Sequence, residues 1–308
     1  TQLGKGVIDE RHPKFLGCAA LSAGDFVHRA VEASDCIVNV GHDVIEKPPF
    51  FMKPGGAQVI HISSKTAEVD PVYFPGIEVI GDIANAIWQM KEDIVPSGSW
   101  DCGHMLDYHK AEVEHTASLS GDARFPIFPP HLVQQVRDVM PDDGIICLDN
   151  GVYKIWFARG YSAHRPNTVL LDNALATMGA GLPSAMASNM VYPDRKIMAI
   201  CGDGGFMMGG INEFNTAVRL GLNLIVIIAN DSAYGAEHIQ FVNRKMDPGL
   251  TEFAWSSFAE IAKSLGGEGY QVRCNGQLDE ALDALERRNG PFLIELCLDP
   301  ADVPAMRI

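Results

Sequence analysis

Apolar residues along this chain gather in short uninterrupted runs, and several of these runs end in polar, glycine-rich clusters. The run 197–200 leads into Gly202-Asp203-Gly204-Gly205, a helical stretch follows, and the run 222–229 ends at Asn230-Asp231. Two such runs joined by a helix read as parallel strands buried on both faces, a βαβ unit. The same pattern predicts strands at 144–148, 270–273 and 292–298, and helices at 131–140, 255–265 and 277–289. Another helix opens near Val152 with Trp156 and Phe157 turned inward, and another starts at Pro183. In the first third of the chain, strands are expected at 36–40 (read as buried), 58–62 and 78–80. Helices are expected there at 25–33 and 83–90, the second with Ile83, Ile87 and Met90 on one face. Residues 96–125 show no apolar period and predict a linker with one short helix at 107–115. The fold class is therefore α/β, with two consecutive open parallel-sheet domains (1–95 and 126–308) carrying helices on both faces.

Open parallel sheets bind ligands at the carboxyl ends of their strands. Asp203 and Asp231, 28 positions apart, each follow such an end and are expected to meet. Two hard oxygen ligands beside glycines suit Mg²⁺ carrying a diphosphate. Taken alone, Gly202-Asp203-Gly204-Gly205 reads equally as a tight turn. The full pattern of strand, Gly-Asp-Gly, helix, strand and Asn-Asp resembles the thiamine diphosphate motif of acetolactate synthases and of pyruvate and benzoylformate decarboxylases. That resemblance implies Asp203, Asp231 and the carbonyl of Ala233 as metal ligands, with Asp231 standing where the family has Asn. It also implies Gly202, Gly204, Gly205, Tyr234, Gly235 and Ala236 around the diphosphate.

Two further stretches carry the resemblance. The segment 176–187, Ala-Thr-Met-Gly-Ala-Gly-Leu-Pro-Ser-Ala-Met-Ala, is similar to the family's grip on the aminopyrimidine. There the carbonyl of Ala176 and the amide of Met178 would face the ring, and the Met178 side chain would wedge the cofactor into its bent form; core packing is the other reading of Met178. The segment 151–156 stands where acetolactate synthases carry the Gly-Gln-His-Gln-Met-Trp of Val-Gly-Gln-His-Gln-Met-Trp, keeping Gly151 and Trp156. Tyr153 occupies the His place and is read either as a phosphate donor or as core. Residues 1–95 are similar to the family's central domain, here without a GxGxxG fingerprint for a dinucleotide. The loop that holds FAD in flavin-containing members has Asp43 in place of the expected Arg, which argues against FAD.

The resemblance implies thiamine diphosphate- and Mg²⁺-dependent decarboxylation or carboligation of small 2-keto acids, with Glu237 and His238 either handling protons or forming a surface pair. A non-catalytic assembly domain and a Mg²⁺-dependent phosphohydrolase using the Gly202–Gly205 turn are the alternatives, although no second nucleophile or base motif accompanies that turn. The family's activating Glu belongs to a separate N-terminal pyrimidine-binding domain, usually reached across a dimer interface. No such domain fits in these 308 residues, so they read as the central and diphosphate-binding domains of a longer enzyme, inactive alone and assembling as a homodimer or homotetramer.

Composition changes little in this picture. A net charge of −15 argues against nucleic acid or anionic lipid as partner, and no apolar run is long enough to span a membrane. Seven scattered cysteines without a CxxC suit reduced thiols in a cytoplasm. His104, His109 and His115 are too unevenly spaced for zinc, and His42, Asp43 and His61 read as loop and core residues.

Overall fold

A computed structural model describes residues 1–19, 26–42, 52–69, 71–254, 257–274, 276–288 and 290–299. The described residues pack as two units, one of residues 1–2 and 13–114, the other of residues 3–12 and 115–299. The segment 3–12, which the sequence leaves in the first domain, is clipped to the second unit. Lys5 and Glu10 form a buried ion pair at 2.9 Å, and Glu10 accepts the amide of Ala163 at 2.8 Å.

The first unit contains α1 (Phe26–Glu32), β1 (Cys36–Val40), β2 (Gln58–Ser63), β3 (Ile77–Ile80) and α2 (Ile83–Asp93). The strands pair in parallel in the order β1-β2-β3, with Cys36 opposite Gln58 and Ile60 opposite Ile77. Only the central strand is well buried: Val59 and Ile62 are covered, whereas Val38 and Val40 are 46% and 49% exposed. The expectation of a buried strand at 36–40 is thus corrected, because among the described residues β1 is an edge strand paired with β2 alone. On α2 the partly buried positions are Ile83, Ala86 and Met90, while Ile87 is exposed. Asp43 lies outside the described residues. The short helix expected at 107–115 is in fact α3 (Gly103–Ser120), 18 residues long. None of its residues is buried, so it has no apolar stripe for the sequence to display. His104, His109 and His115 are strung along it.

In the second unit, α4 (Pro129–Val139), β4 (Ile145–Leu148), α5 (Tyr153–Gly160), β5 (Val169–Leu171), α6 (Gly181–Val191) and β6 (Ile197–Gly202) come first. One turn of helix, α7 (Asp203–Gly205), passes through a π-helical turn, Phe206–Gly210, into α8 (Ile211–Arg219). Then come β7 (Leu224–Asn230), α9 (Gly235–Asn243), α10 (Phe258–Ser264), β8 (Glu268–Val272), α11 (Gln277–Ala284) and β9 (Phe292–Cys297). Proline opens α4, as expected where the missing N–H costs nothing. The helix read to 289 tightens into a 3-10 turn at Leu285–Arg287, and β8 starts two residues early because the Glu268 amide pairs with the Pro291 carbonyl.

All six strands are parallel, in the order β5-β4-β6-β7-β9-β8. Successive residues of each inner strand feed opposite cores. Ile225, Ile227 and Ala229 pack with the α4, α5 and α11 layer, whereas Leu224, Val226 and Ile228 pack with the α6, α8 and α10 layer. This two-sided burial is why the strands read as unbroken apolar runs. From β4 the chain steps outward to β5 and then returns to the other side of β4 as β6. The order therefore reverses at β4 and β6, which opens a crevice beyond their carboxyl ends.

Candidate functional site

Strand register brings the two aspartates together. Gly202 pairs with Ala229, so Asp203 and Asn230-Asp231 leave adjacent strands side by side. Asp203 is 1% exposed and is the first residue of α7. Gly205 has ordinary helical angles, φ −63° and ψ −42°, so backbone freedom is not what glycine provides there. Space is. A Cβ on Gly204 would lie 2.6 Å from the Tyr234 ring, and one on Gly205 would collide with Asp149 Oδ2.

The loop after β7 is bent by Ser232, whose φ of 57° lies in the left-handed region. Asn230 Oδ1 accepts the Ser232 amide at 3.0 Å, and Asp231 Oδ1 accepts the Ala233 amide at 3.3 Å. Tyr234 donates its amide to the Thr251 carbonyl at 2.9 Å. Burial, then the neighbouring Asp203 charge, pushes the Asp231 carboxyl up to about 7. Two carboxylates this close and this buried repel unless a proton or a cation lies between them. Two neighbouring carboxylates, with the Ala233 backbone in the same loop, are a donor set that would fit a divalent ion.

At the end of β4 stands Asp149, fully buried, a residue to which the sequence reading assigned no role. Its carboxylate accepts the amides of Gly179 at 2.8 Å, Ala180 at 3.1 Å and Asn150 at 2.9 Å. Burial raises its carboxyl, and these amides oppose the rise. Its signal in the sequence was an acid at the end of an apolar run, the same signal that marked Asp203.

Tyr153 is 5% exposed, its ring packs beneath Gly151 and Gly202, and its hydroxyl donates to the Ile200 carbonyl at 3.3 Å. Its hydroxyl thus bonds within the core, while the residue also lines a cavity beside Asp231. Burial also holds its phenol well above the ordinary value.

Met178 is partly buried, with its Cε 3.4 Å from where a Gly204 Cβ would stand, so it leans across the Gly-Asp-Gly-Gly turn. Ala176 is exposed with φ 48°, a costly conformation for a residue with a Cβ.

A cavity of about 380 Å³ opens beside Asp231, lined by Val152, Trp156, Ala233, Gly235, His238 and Asp299 among others. His238 Nδ1 lies 3.2 Å from Thr251 Oγ1 and 3.8 Å from the Glu252 carboxylate. Glu237 is exposed on the first turn of α9 and does not line this cavity. The two predicted proton-handling residues therefore part: His238 faces the cleft and Glu237 faces outward. Ala236, between Gly235 and Glu237, is partly buried in the same turn.

Residues 149–296 match the family described as thiamine pyrophosphate enzyme, C-terminal TPP binding domain, and residues 1–90 match the central domain of thiamine pyrophosphate enzymes. Among curated proteins, the acetolactate synthase of Bacillus subtilis (strain 168) is 28% identical over 96% of this chain and 52% of its own length. The catabolic acetolactate synthase of Raoultella terrigena is 27% identical over 98% of this chain and 55% of its own. The isozyme 2 large subunit of acetolactate synthase from Escherichia coli (strain K12) is 26% identical over 97% and 54%. The chain thus spans about half the length of the curated relatives it matches.

Proposed function

Since the chain belongs to the thiamine pyrophosphate enzymes and carries their central and C-terminal domains, we propose that it binds thiamine diphosphate through Mg²⁺ and serves decarboxylation or carboligation of small 2-keto acids. The observation that carries this reading is the pair of buried Asp203 and partly buried Asp231 at the ends of adjacent strands. Asp203, Asp231 and the Ala233 carbonyl would hold the metal. Gly202, Gly204, Gly205 and the opening of α9 at Tyr234, Gly235 and Ala236 would flank the diphosphate, where a helix N-terminus favours an anion. Gly151 and Tyr153 would close the wall beneath it. Ala176 and Met178 would take the aminopyrimidine.

When bound, the cofactor supplies the carbon nucleophile and the electron sink that 2-keto acid chemistry needs. The chain's own residues supply position, exclusion of water and a place for protons. His238 faces the cleft and is the nearer proton carrier, with Glu237 one residue before it. Further parts of this reading are a homodimer or homotetramer, a reducing cytoplasmic setting that suits seven free cysteines, and no flavin. Stoichiometric flavin absorbance in the purified protein would remove the last of these.

Calorimetric titration with thiamine diphosphate and Mg²⁺ tests the main claim. Saturable heat that vanishes with chelator is expected. Hydrolysis of the diphosphate instead would favour a Mg²⁺-dependent phosphohydrolase, and no heat would favour an assembly domain.

A further inference from the structure

We infer that Lys154 is a positioning residue that fixes the loop 172–180 for the aminopyrimidine half of the cofactor, an inference that rests on the thiamine diphosphate reading above. Lys154 lies on the first turn of α5 and is 6% exposed. An ammonium is rarely buried this far without oxygens arranged around it. Here Nζ donates to the Asn150 side-chain oxygen, to Asn173 Oδ1 at 2.9 Å and to the Asp172 carbonyl at 3.3 Å. Asn150 Nδ2 donates onward to the Thr177 carbonyl at 2.9 Å. One buried cation therefore ties the loop after β4 to the loop after β5.

Two further anchors grip the same loop. The Asp172 carboxylate accepts the amides of Ala174 at 3.1 Å and Thr177 at 3.3 Å, and Asp149 holds Gly179 and Ala180. Between these ties, Ala176 is left in its left-handed conformation and Leu175 is 85% exposed. A strained and exposed backbone keeps such a shape only when its surroundings over-determine it. Lys154 supplies the tie nearest to Ala176 and Met178 that comes from outside the loop, through Asn150 to Thr177. In the resembling segment of acetolactate synthases Gln stands at this place, so the device is built here from a different side chain.

The test separates the two halves of the cofactor, using thiamine diphosphate and inorganic pyrophosphate as probes, each with Mg²⁺, on the full chain. Lys154→Met is expected to weaken thiamine diphosphate about tenfold and to leave pyrophosphate within about twofold. Asn150→Ala should give the same selective loss, and the double variant should lose less than the sum of the two single losses, because part of the Lys154 tie runs through Asn150 to Thr177. Equal losses for both probes, no loss, or additive losses would overturn the positioning role. Hydrogen exchange provides a second readout: amides 177–180 should exchange faster in Lys154→Met while those of β6 keep their protection. Unchanged exchange at 177–180, or faster exchange in β6 as well, would overturn it too. If the wild-type chain binds neither probe, the thiamine diphosphate reading itself fails and this inference with it. Wild-type binding with unselective variants sinks only the role of Lys154.

Discussion

Asp231 shows how a binding site costs stability. Burial, then the Asp203 charge, pushes its carboxyl up from an ordinary 3.8 to about 7 in the folded chain, so the protonated form is favoured. The folded state thus holds a proton that the unfolded state releases earlier. Protonation of Asp231 contributes full stability below about pH 4, and this is lost as pH rises toward 7. A divalent cation held at the proposed site would replace the proton and remove the penalty. Asp231→Asn should therefore raise the melting temperature of the metal-free protein at pH 8, by up to about 4 kcal/mol in free energy, while abolishing Mg²⁺-dependent binding of thiamine diphosphate. A lower melting temperature at pH 8, or intact cofactor binding, would show that the carboxylates do not compete in this way. Gly205 makes the complementary point about space. Its missing Cβ leaves room for Asp149, so Gly205→Ala should destabilise by about 1–3 kcal/mol through overpacking, measurable by urea denaturation. A side chain that fits there without cost would mean Asp149 can retreat from its hold on Gly179 and Ala180.

At the scale of elements, β7 is the spine of the second unit. It is paired on both sides, by β6 and β9, and its residues 224–229 are almost wholly buried. Ile227 packs in the α4, α5 and α11 layer, three residues before the site loop begins. Ile227→Ala should cost about 2–5 kcal/mol and loosen Asp231 only through the strand. Its chemical denaturation midpoint should fall while Mg²⁺ affinity of the folded fraction stays near wild type. The start of α10 offers a milder case. Ser257 caps the Glu260 amide and also donates to buried Glu295 at 2.9 Å. Removing it as Ser257→Ala should cost about 1 kcal/mol, seen as a small drop in melting temperature. A drop several times larger would mean that Glu295 depends on this hydroxyl more than on the Ala259 amide it also accepts.

At the scale of the whole molecule, the chain is about half of its curated relatives, and the proposed chemistry needs more than the residues that form this site. Residues 1–308 alone are expected to turn over 2-keto acids poorly, because the carboxylate that activates the aminopyrimidine in the resembling enzymes has no counterpart among the site residues assigned above. A robust decarboxylation rate from these residues would refute that, and a rate restored by adding the remaining half of a relative would support it. In an active assembly Glu237→Gln and His238→Gln separate the two proton carriers. His238→Gln should lower kcat at unchanged cofactor affinity, and an equal effect from Glu237→Gln would bring the outward-facing carboxylate back into the site. Exposed Leu175, Met190, Val191 and Met208 suit burial against another subunit, and sedimentation should show a dimer or tetramer.

Much of this was legible in the order of residues. Buried parallel strands must be apolar on both faces, so β6 and β7 announced themselves as runs, each ended by an acid. The register that joins Asp203 to Asp231 follows from two adjacent strands of similar length, and that too was within reach. Other features depended on neighbours far away in the chain. That the Tyr153 hydroxyl turns to the Ile200 carbonyl, with its ring in the hollows at Gly151 and Gly202, is such a feature. The length of α3 was invisible because a solvated helix needs no apolar stripe, and β1 turned out exposed because an apolar-rich segment does not say how many neighbours a strand has. The separation of His238 from Glu237 came from the placement of α9 against the 251–253 segment, a contact that no spacing encodes. Local pattern determined which residues become strands and where their ends carry chemistry. The tertiary structure alone decided which of those ends share a crevice, because hydrogen-bond partners and steric room belong to pairs of residues distant in sequence.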